Sequence, residues 1–183
     1  MKKIILFSAI LTSIATFANA QNNASSTAQQ TVQLQLSNAL EITFTGNNST
    51  TGSTVTMPFT SANDYANGVE SQAQQLRVRS NKNFNVAVKT LTNTFSVTNN
   101  GNTSSSSMPA SVLDVKVSAN GTGGNIAGSF SSYTDLSASS KNMITNGSYG
   151  ANQTFSVQYK AQPGFNYPAG TYSIDVVYTA TQQ

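Results

Sequence analysis

The chain has no Cys, no His and no Trp, and only 8% of its 183 residues are charged. Without Cys there is no disulfide, no thiolate nucleophile and no Cys-ligated metal. Without His the commonest general base and metal ligand of enzymes is missing. We therefore predict a protein that is not an enzyme, with no catalytic residues, no cofactor and no metal site.

The acidic residues are also few. They are Glu41, Asp64, Glu70, Asp114, Asp135 and Asp175. Glycoside hydrolysis needs two carboxyl groups facing each other across a cleft, and nothing in the sequence places two of the six together. We interpret all six as solvated surface groups. With no His to titrate between about pH 5 and 8, stability is predicted to be nearly flat over that range.

The N-terminus carries an export signal. Lys2 and Lys3 precede an apolar stretch that reaches Phe17, and a small-residue site follows at Ala18-Asn19-Ala20. This pattern predicts a secretory signal peptide, residues 1–20, cleaved between Ala20 and Gln21. The apolar stretch is too short and too rich in Ser and Thr for a stable membrane span. We expect an exported protein of the periplasm or the cell exterior, with no membrane span in its mature chain.

Net charge argues against nucleic acid as a partner. The formal charge is +3, from nine basic and six acidic residues. Removal of Lys2 and Lys3 with the signal peptide leaves seven basic residues and a net charge of +1. A nearly neutral chain has no field to attract phosphate backbones or anionic bilayers.

Alternation of apolar and polar residues with period two dominates the mature chain and predicts β-strands. Asn-Gly pairs, as at Asn100-Gly101, separate the alternating runs and favour tight turns. The pattern predicts an all-β fold: an immunoglobulin-like antiparallel β-sandwich of about 7–9 strands in a single domain, residues 31–183. The apolar members of the runs are Val55, Met57, Phe59; Leu76, Val78; Phe84, Val86, Val88; Phe95, Val97; Leu113, Val115, Val117; Phe155, Val157, Tyr159; and Tyr172, Ile174, Val176, Tyr178.

Two stretches are less regular. Pro58 lacks the N–H that a central strand needs, so the strand around it is expected at a sheet edge or after a bulge. Residues 129–150 show little periodicity. We expect Leu136, Met143 and Ile144 in this stretch to cover one end of the core, and a helical turn is possible there.

The N-terminal segment of the mature chain is the most informative feature. Residues 21–30 are polar and are predicted to be flexible, and residues 31–45 then alternate without a break. Fifteen residues is longer than a typical strand of about five or six. One interpretation is a single first strand that bends near Asn38. The other is a donor strand, residues 31–37, that completes the sheet of a neighbouring subunit through Val32, Leu34 and Leu36.

The layout resembles that of secreted bacterial surface proteins. A signal peptide, an alternating N-terminal segment and a last strand introduced by Pro168-Ala169-Gly170-Thr171-Tyr172 are similar to subunits of chaperone-usher fibres of the spore-coat-U kind. They are also similar to wall-associated domains whose last strand follows a Gly-Thr-Tyr turn. The resemblance implies an immunoglobulin-like sandwich on the outer surface with no active site. It also implies self-association or neighbouring fibre subunits, and a periplasmic chaperone, as partners.

The sequence thus predicts a non-catalytic secreted protein of the cell surface, structural or adhesive, and specifically a pilus- or fibre-like subunit assembled by strand addition. The alternative is a monomeric module that binds the cell wall or a polysaccharide. Such modules present exposed aromatic rings, which stack on the apolar faces of sugars. Tyr65, Phe165 and Tyr167 are the loop aromatics that would serve, with carbohydrate as the partner.

Overall fold

The computed structural model describes residues 25–183, so the predicted signal peptide and its cleavage site lie outside the described residues. Residues 25–39 belong to no helix or strand. Later residues form thirteen strands: β1 (Leu40–Phe44), β2 (Val69–Glu70), β3 (Gln74–Ser80), β4 (Phe84–Thr90), β5 (Thr94–Asn99), β6 (Asn102–Pro109), β7 (Leu113–Gly121), β8 (Asn125–Ile126), β9 (Thr134–Asp135), β10 (Lys141–Gly147), β11 (Gly150–Ala161), β12 (Thr171–Ser173) and β13 (Val176–Gln182). One helix, α1 (Ala62–Asn67), and two 3-10 turns, Ala110–Val112 and Gly128–Ser131, complete the elements.

The strands form three antiparallel sheets. Six strands make the largest, in the order β1-β3-β11-β7-β9 with β2 also beside β11. The second has the order β13-β4-β10-β8, and the third the order β12-β5-β6. Nine strands have five or more residues, and the others have two or three. The predicted all-β antiparallel sandwich is confirmed. Its thirteen strands exceed the predicted 7–9, because four of them are short pieces of two or three residues.

One apolar core joins the sheets. The largest fully buried side chains are Leu76 and Phe155 from the six-stranded sheet and Phe84, Met143 and Ile144 from the four-stranded sheet. Full burial of such side chains contributes about 1.5–3 kcal/mol each. Because inward residues alternate with outward ones along each strand, the period-two pattern of the sequence becomes the two inner faces of the sandwich.

The poorly patterned stretch contributes to this core as predicted. Leu136, Met143 and Ile144 are all at most 2% exposed, and Phe130 joins them from the 3-10 turn Gly128–Ser131. The Asn100-Gly101 turn is also as predicted. Both residues have positive φ, 48° and 81°, which is the requirement of a type I′ hairpin.

Two expectations about strands in the first sixty residues are wrong. Residues 55–59 form no strand, although Val55 and Met57 still pack against the core. Pro58 has no N–H for a ladder, and no neighbouring strand pairs with this stretch among the described residues. The single fifteen-residue strand is not formed, because only Leu40–Phe44 is paired.

The last strand is also divided. Thr171–Ser173 pairs with β5, whereas Val176–Gln182 pairs with β4 in another sheet. The chain changes sheet at Ile174 and Asp175, where the Asp175 carbonyl accepts a hydrogen bond from Leu91 N–H at 2.9 Å. Alternation continues through the change of sheet, so the sequence pattern does not reveal it.

Helix α1 begins with a capping box, which is a sequence signal that the search for alternating residues did not detect. The Ser61 side chain accepts from Asp64 N–H, and the Asp64 carboxylate accepts from Ser61 N–H at 2.8 Å, which is a capping box. The backbone N–H groups of Thr60 and Ser61 lower the pKa of Asp64. The Asn67-Gly68 pair therefore ends a helix instead of making a hairpin, with Gly68 at φ 82°.

Candidate functional site

The segment predicted as a donor strand keeps its apolar side chains in solvent. Val32, Leu34 and Leu36 are 76%, 80% and 88% exposed. Single exposed apolar residues are ordinary on protein surfaces. Three at strand spacing within five residues would share one apolar face if the segment paired as a strand, and such a face is typical of a segment that pairs with a partner.

Two edge strands, β1 and β13, adjoin each other between the six-stranded and four-stranded sheets. Among the described strands, β1 pairs with β3 alone and β13 with β4 alone, while Phe44 at the end of β1 forms a single bridge to Ser49. The outer N–H and C=O groups of an edge strand are a template for a further strand. The rings of Phe44 on β1 and Tyr178 on β13 meet edge to face, with centroids 6.2 Å apart. The two free edges therefore border one region of the surface.

An apolar cavity lies between these edges. We call it the edge groove, and its volume is about 140 Å³. A cavity of about 150 Å³ holds a benzene molecule, so the edge groove can take one large side chain. It is lined by Ile42, Thr43, Phe44, Thr50, Leu76, Val176, Val177 and Tyr178.

Polar groups fix the walls of the edge groove. The Tyr178 and Tyr159 hydroxyl groups lie 2.6 Å apart in a hydrogen bond. Burial raises the pKa of Tyr159 to about 12, an effect that its bond to Tyr178 opposes, and burial also raises the pKa of Tyr178. Gln182 Nε2 donates to the Ala39 carbonyl at 2.8 Å and ties the end of β13 to the chain just before β1. The Thr43 hydroxyl is buried with no partner within the described part of the chain.

A second depression lies where α1 meets the end of β11. Two of its walls are the rings of Tyr65 and Phe165, which stack with centroids 5.6 Å apart and 22° between their planes. Phe59 packs on Tyr65 at 5.3 Å. The Gln162 side-chain amide donates to the Ala66 carbonyl at 2.7 Å and fastens α1 to the β11 end. We call this depression the aromatic cleft.

Of the three loop aromatics singled out from sequence, the structure brings two together. Tyr65 and Phe165 line the aromatic cleft. Tyr167 instead meets Tyr172 edge to face at 6.4 Å and packs against the core. The extended aromatic row is therefore replaced by a pair, because the turn folds Tyr167 inward.

The interpretation of the acidic residues as isolated surface groups is wrong for two of them. Asp114 on β7 and Asp135 on β9 are direct cross-strand partners. Lys160 on β11 lies opposite Asp114 on its other side and also opposite Glu70 on β2. Sequence reasoning missed this row because the two-residue strands β2 and β9 carry no alternation to reveal them.

The pairing changes the chemistry of Asp114. Burial, followed by a hydrogen bond with Asp135 and the negative charge of that group, raises the pKa of Asp114 to about 6, while Lys160 acts in the opposite direction. The Asp114 Oδ1 atom is buried and accepts no hydrogen bond from any described residue. A pKa of about 6 lies within the range from pH 5 to 8 for which the sequence predicts a flat response, so Asp114 is the group on which that prediction depends.

Among residues 25–183, no three acidic side chains stand close enough together to hold a metal ion. No helix in this range has the length and apolar character needed to cross a membrane. No protein-family model matches the chain, and no curated protein is similar to it in sequence.

Proposed function

We propose that the protein is a non-catalytic, secreted cell-surface subunit, structural or adhesive, that assembles by strand addition. Residues 31–37 of one copy would add a strand at the edge groove of the next. The observation that carries the proposal is the apolar face of Val32, Leu34 and Leu36, each at least 76% exposed. Repeated head-to-tail addition of this kind is a heterologous contact, and it produces a fibre when it does not close into a ring.

The energetics favour such a contact. Burial of three side chains of this type contributes roughly 1.5–3 kcal/mol each, and ladder hydrogen bonds add to this. If all three were buried, the sum would exceed the lower estimates of about 4 kcal/mol for the lost freedom of association. The edge groove itself takes one large side chain, so Val32 and Leu36 would have to be covered by the surface on either side of it.

The dimensions of the acceptor also suit the donor. The donor segment, residues 31–37, is as long as β13, which has seven residues. Its central apolar residue, Leu34, is the size of side chain that the edge groove accepts. Val32 and Leu36 would then lie along the same face on either side of Leu34, since residues two apart in a strand share a face.

Export and assembly make a chaperone a natural partner. An exposed apolar segment and an open sheet edge invite indiscriminate pairing before assembly. A periplasmic chaperone that covers either one would keep subunits apart after the predicted signal peptide is removed. The role of such a partner is transient, because the next subunit replaces it.

The proposal is tested by sedimentation velocity of the mature chain over a range of concentrations. We expect the wild-type protein to form oligomers, with the chaperone supplied if it is needed. Leu34→Asp should be monomeric, because it would place an unpaired carboxylate in an apolar groove. The matched control is Gln33→Asp, which introduces the same charge on the opposite face of the segment and should assemble. Equal assembly of the two variants, or a wild-type protein that stays monomeric at every concentration, would contradict the proposal.

A further inference from the structure

The aromatic cleft has a geometry that the strand-addition proposal does not use. Phe165 is 70% exposed, although one of its faces rests on Tyr65. Gly164, at φ 61°, reverses the chain and holds Phe165 out of the core. The capping box of α1 and the Gln162 bond to Ala66 fix Tyr65 in place behind it. The result is a supported ring with an open face at the mouth of a depression.

The depression is large enough for a small ligand and is lined with hydrogen-bonding groups. Its volume is about 440 Å³, within the range of about 300–1,000 Å³ that ligand sites occupy. Gln162 uses its amide N–H on Ala66, so its amide oxygen remains to accept. Asn166 and Ser111 also line the cleft. Asp114 also lines the cleft and contributes a carboxyl group.

From this arrangement we infer that the aromatic cleft binds a neutral pyranose sugar of a glycan chain. The apolar C–H face of the ring would stack on the open face of Phe165, as aromatic rings accept apolar surfaces. The sugar hydroxyl groups would donate to Asp114 and to the Gln162 amide oxygen and exchange hydrogen bonds with Asn166. These groups form a convergent polar set of the kind that orients a ligand in its site.

Charge selects a neutral glycan over an acidic one. Of the described residues that line the cleft, Asp114 is the one charged group, and none is basic. A uronic acid or sulfated sugar would bring a second negative group to the same place, and like charges at close range disfavour binding. The inference is independent of assembly, because none of the residues that line the edge groove also lines the aromatic cleft.

The test is a titration of the mature protein with cellohexaose and, separately, with chitohexaose. Binding is measured by isothermal titration calorimetry. The anionic control is an oligomer of galacturonic acid of the same length. We expect binding of at least one neutral oligomer and none of the acidic one. Phe165→Ala should weaken binding about tenfold, which corresponds to the loss of one good stacking contact.

The matched control variant is Tyr149→Ala, which removes an aromatic ring that is 68% exposed and lies outside the cleft. It should bind as the wild type does. Asn166→Ala provides a second variant that removes a hydrogen-bonding group and leaves the aromatic stack intact, and it should also weaken binding. Circular dichroism and the melting temperature establish that each variant is folded. Failure of both neutral oligomers to bind, or equal binding by Phe165→Ala and Tyr149→Ala, overturns the inference.

Discussion

Strand β4 and residues 31–37 carry the same alternation of apolar and polar residues, and they meet opposite environments. In β4 the side chains of Phe84, Val86 and Val88 are at most 2% exposed. Strand β4 has β13 on one side and β10 on the other. In residues 31–37 the apolar side chains are 76–88% exposed, and the segment pairs with no strand of its own chain among the described residues.

The difference shows that alternation specifies a face and not a partner. A strand becomes buried when neighbours supply both the ladder and the opposite wall. Where the chain supplies neither, the same pattern is left as a surface able to pair with another molecule. Matched substitutions at a residue that has a neighbouring strand and at one that has none therefore show which segments are already stabilised within the subunit.

The largest contrast is expected between Val86→Asp and Leu34→Asp. Val86 is fully buried, and its replacement would lose apolar burial and place a carboxylate in the core, at a cost of more than about 4 kcal/mol in the free energy of unfolding. Leu34→Asp should change the stability of the monomer by less than about 0.5 kcal/mol, as exposed substitutions do. Urea unfolding of the two variants measures both values, at a concentration where the wild type is monomeric. A large destabilisation by Leu34→Asp would mean that the segment already belongs to its own subunit.

Two glycines provide the next comparison. At Gly68, with φ 82°, an added Cβ would lie 2.8 Å from the Ala161 carbonyl oxygen, whereas at Gly46 it would meet no heavy atom within 4 Å. Gly68→Ala should lower the free energy of unfolding by about 1–3 kcal/mol, the usual cost of a strained backbone position. Gly46→Ala should be neutral or slightly stabilising. Thermal unfolding followed by circular dichroism distinguishes them, and equal melting temperatures would show that the contact with β11 does not hold α1.

A smaller change in stability, one that depends on pH, is expected from Asp114, which lies opposite the carboxyl group of Asp135. Its pKa is raised from 3.8 to about 6 in the folded protein, so the folded state binds the proton more tightly than the unfolded state does. The resulting stabilisation is complete below about pH 4 and is lost as the pH rises through 6. Asp64, whose pKa is lowered, acts in the opposite direction below about pH 4, so the two effects fall in different ranges.

Asp114→Asn should abolish the decline in stability between pH 4 and 6. Asp175→Asn, at a position in the sheet change without a carboxyl partner across a ladder, should retain it. The measurement is the melting temperature of each variant at half-unit steps of pH. A wild-type profile that is flat from pH 4 to 7 would contradict the raised pKa of Asp114.

The sequence predicted those parts of the fold that depend on neighbours along the chain. The inward faces of β3, β4, β7 and β11 follow from alternation, and the Asn100-Gly101 hairpin follows from the tolerance of both residues for positive φ. What it could not predict depends on distant neighbours. The pairing of Asp114 with Asp135, the change of sheet at Asp175 and the stack of Tyr65 on Phe165 all join segments whose own patterns are unremarkable.

The candidate sites divide in the same way. Val32, Leu34 and Leu36 were identified from the sequence, because a continuous face is a local property. The edge groove was not, since it is formed by β1 and β13, which are separated by more than a hundred residues. The aromatic cleft was identified only in part: two of its rings were named from sequence, while its polar wall required the β7–β11 register.

The central claim, that residues 31–37 pair with another copy at the edge groove, is tested most directly by disulfide trapping. The chain has no native Cys, so only introduced residues can form a bond. Leu34→Cys is mixed with Val177→Cys, a groove residue, with one variant isotopically labelled and mild oxidant added. A disulfide requires Cα atoms about 4.4–6.8 Å apart.

We predict a disulfide-linked dimer that contains one labelled and one unlabelled chain. The control mixture of Leu34→Cys with Tyr149→Cys, an exposed site outside the groove, should give no mixed dimer above background. Equal yields in the two mixtures would contradict the account. So would a Leu34→Cys, Val177→Cys double variant that closes its disulfide only within one chain while the mixed single variants remain unlinked.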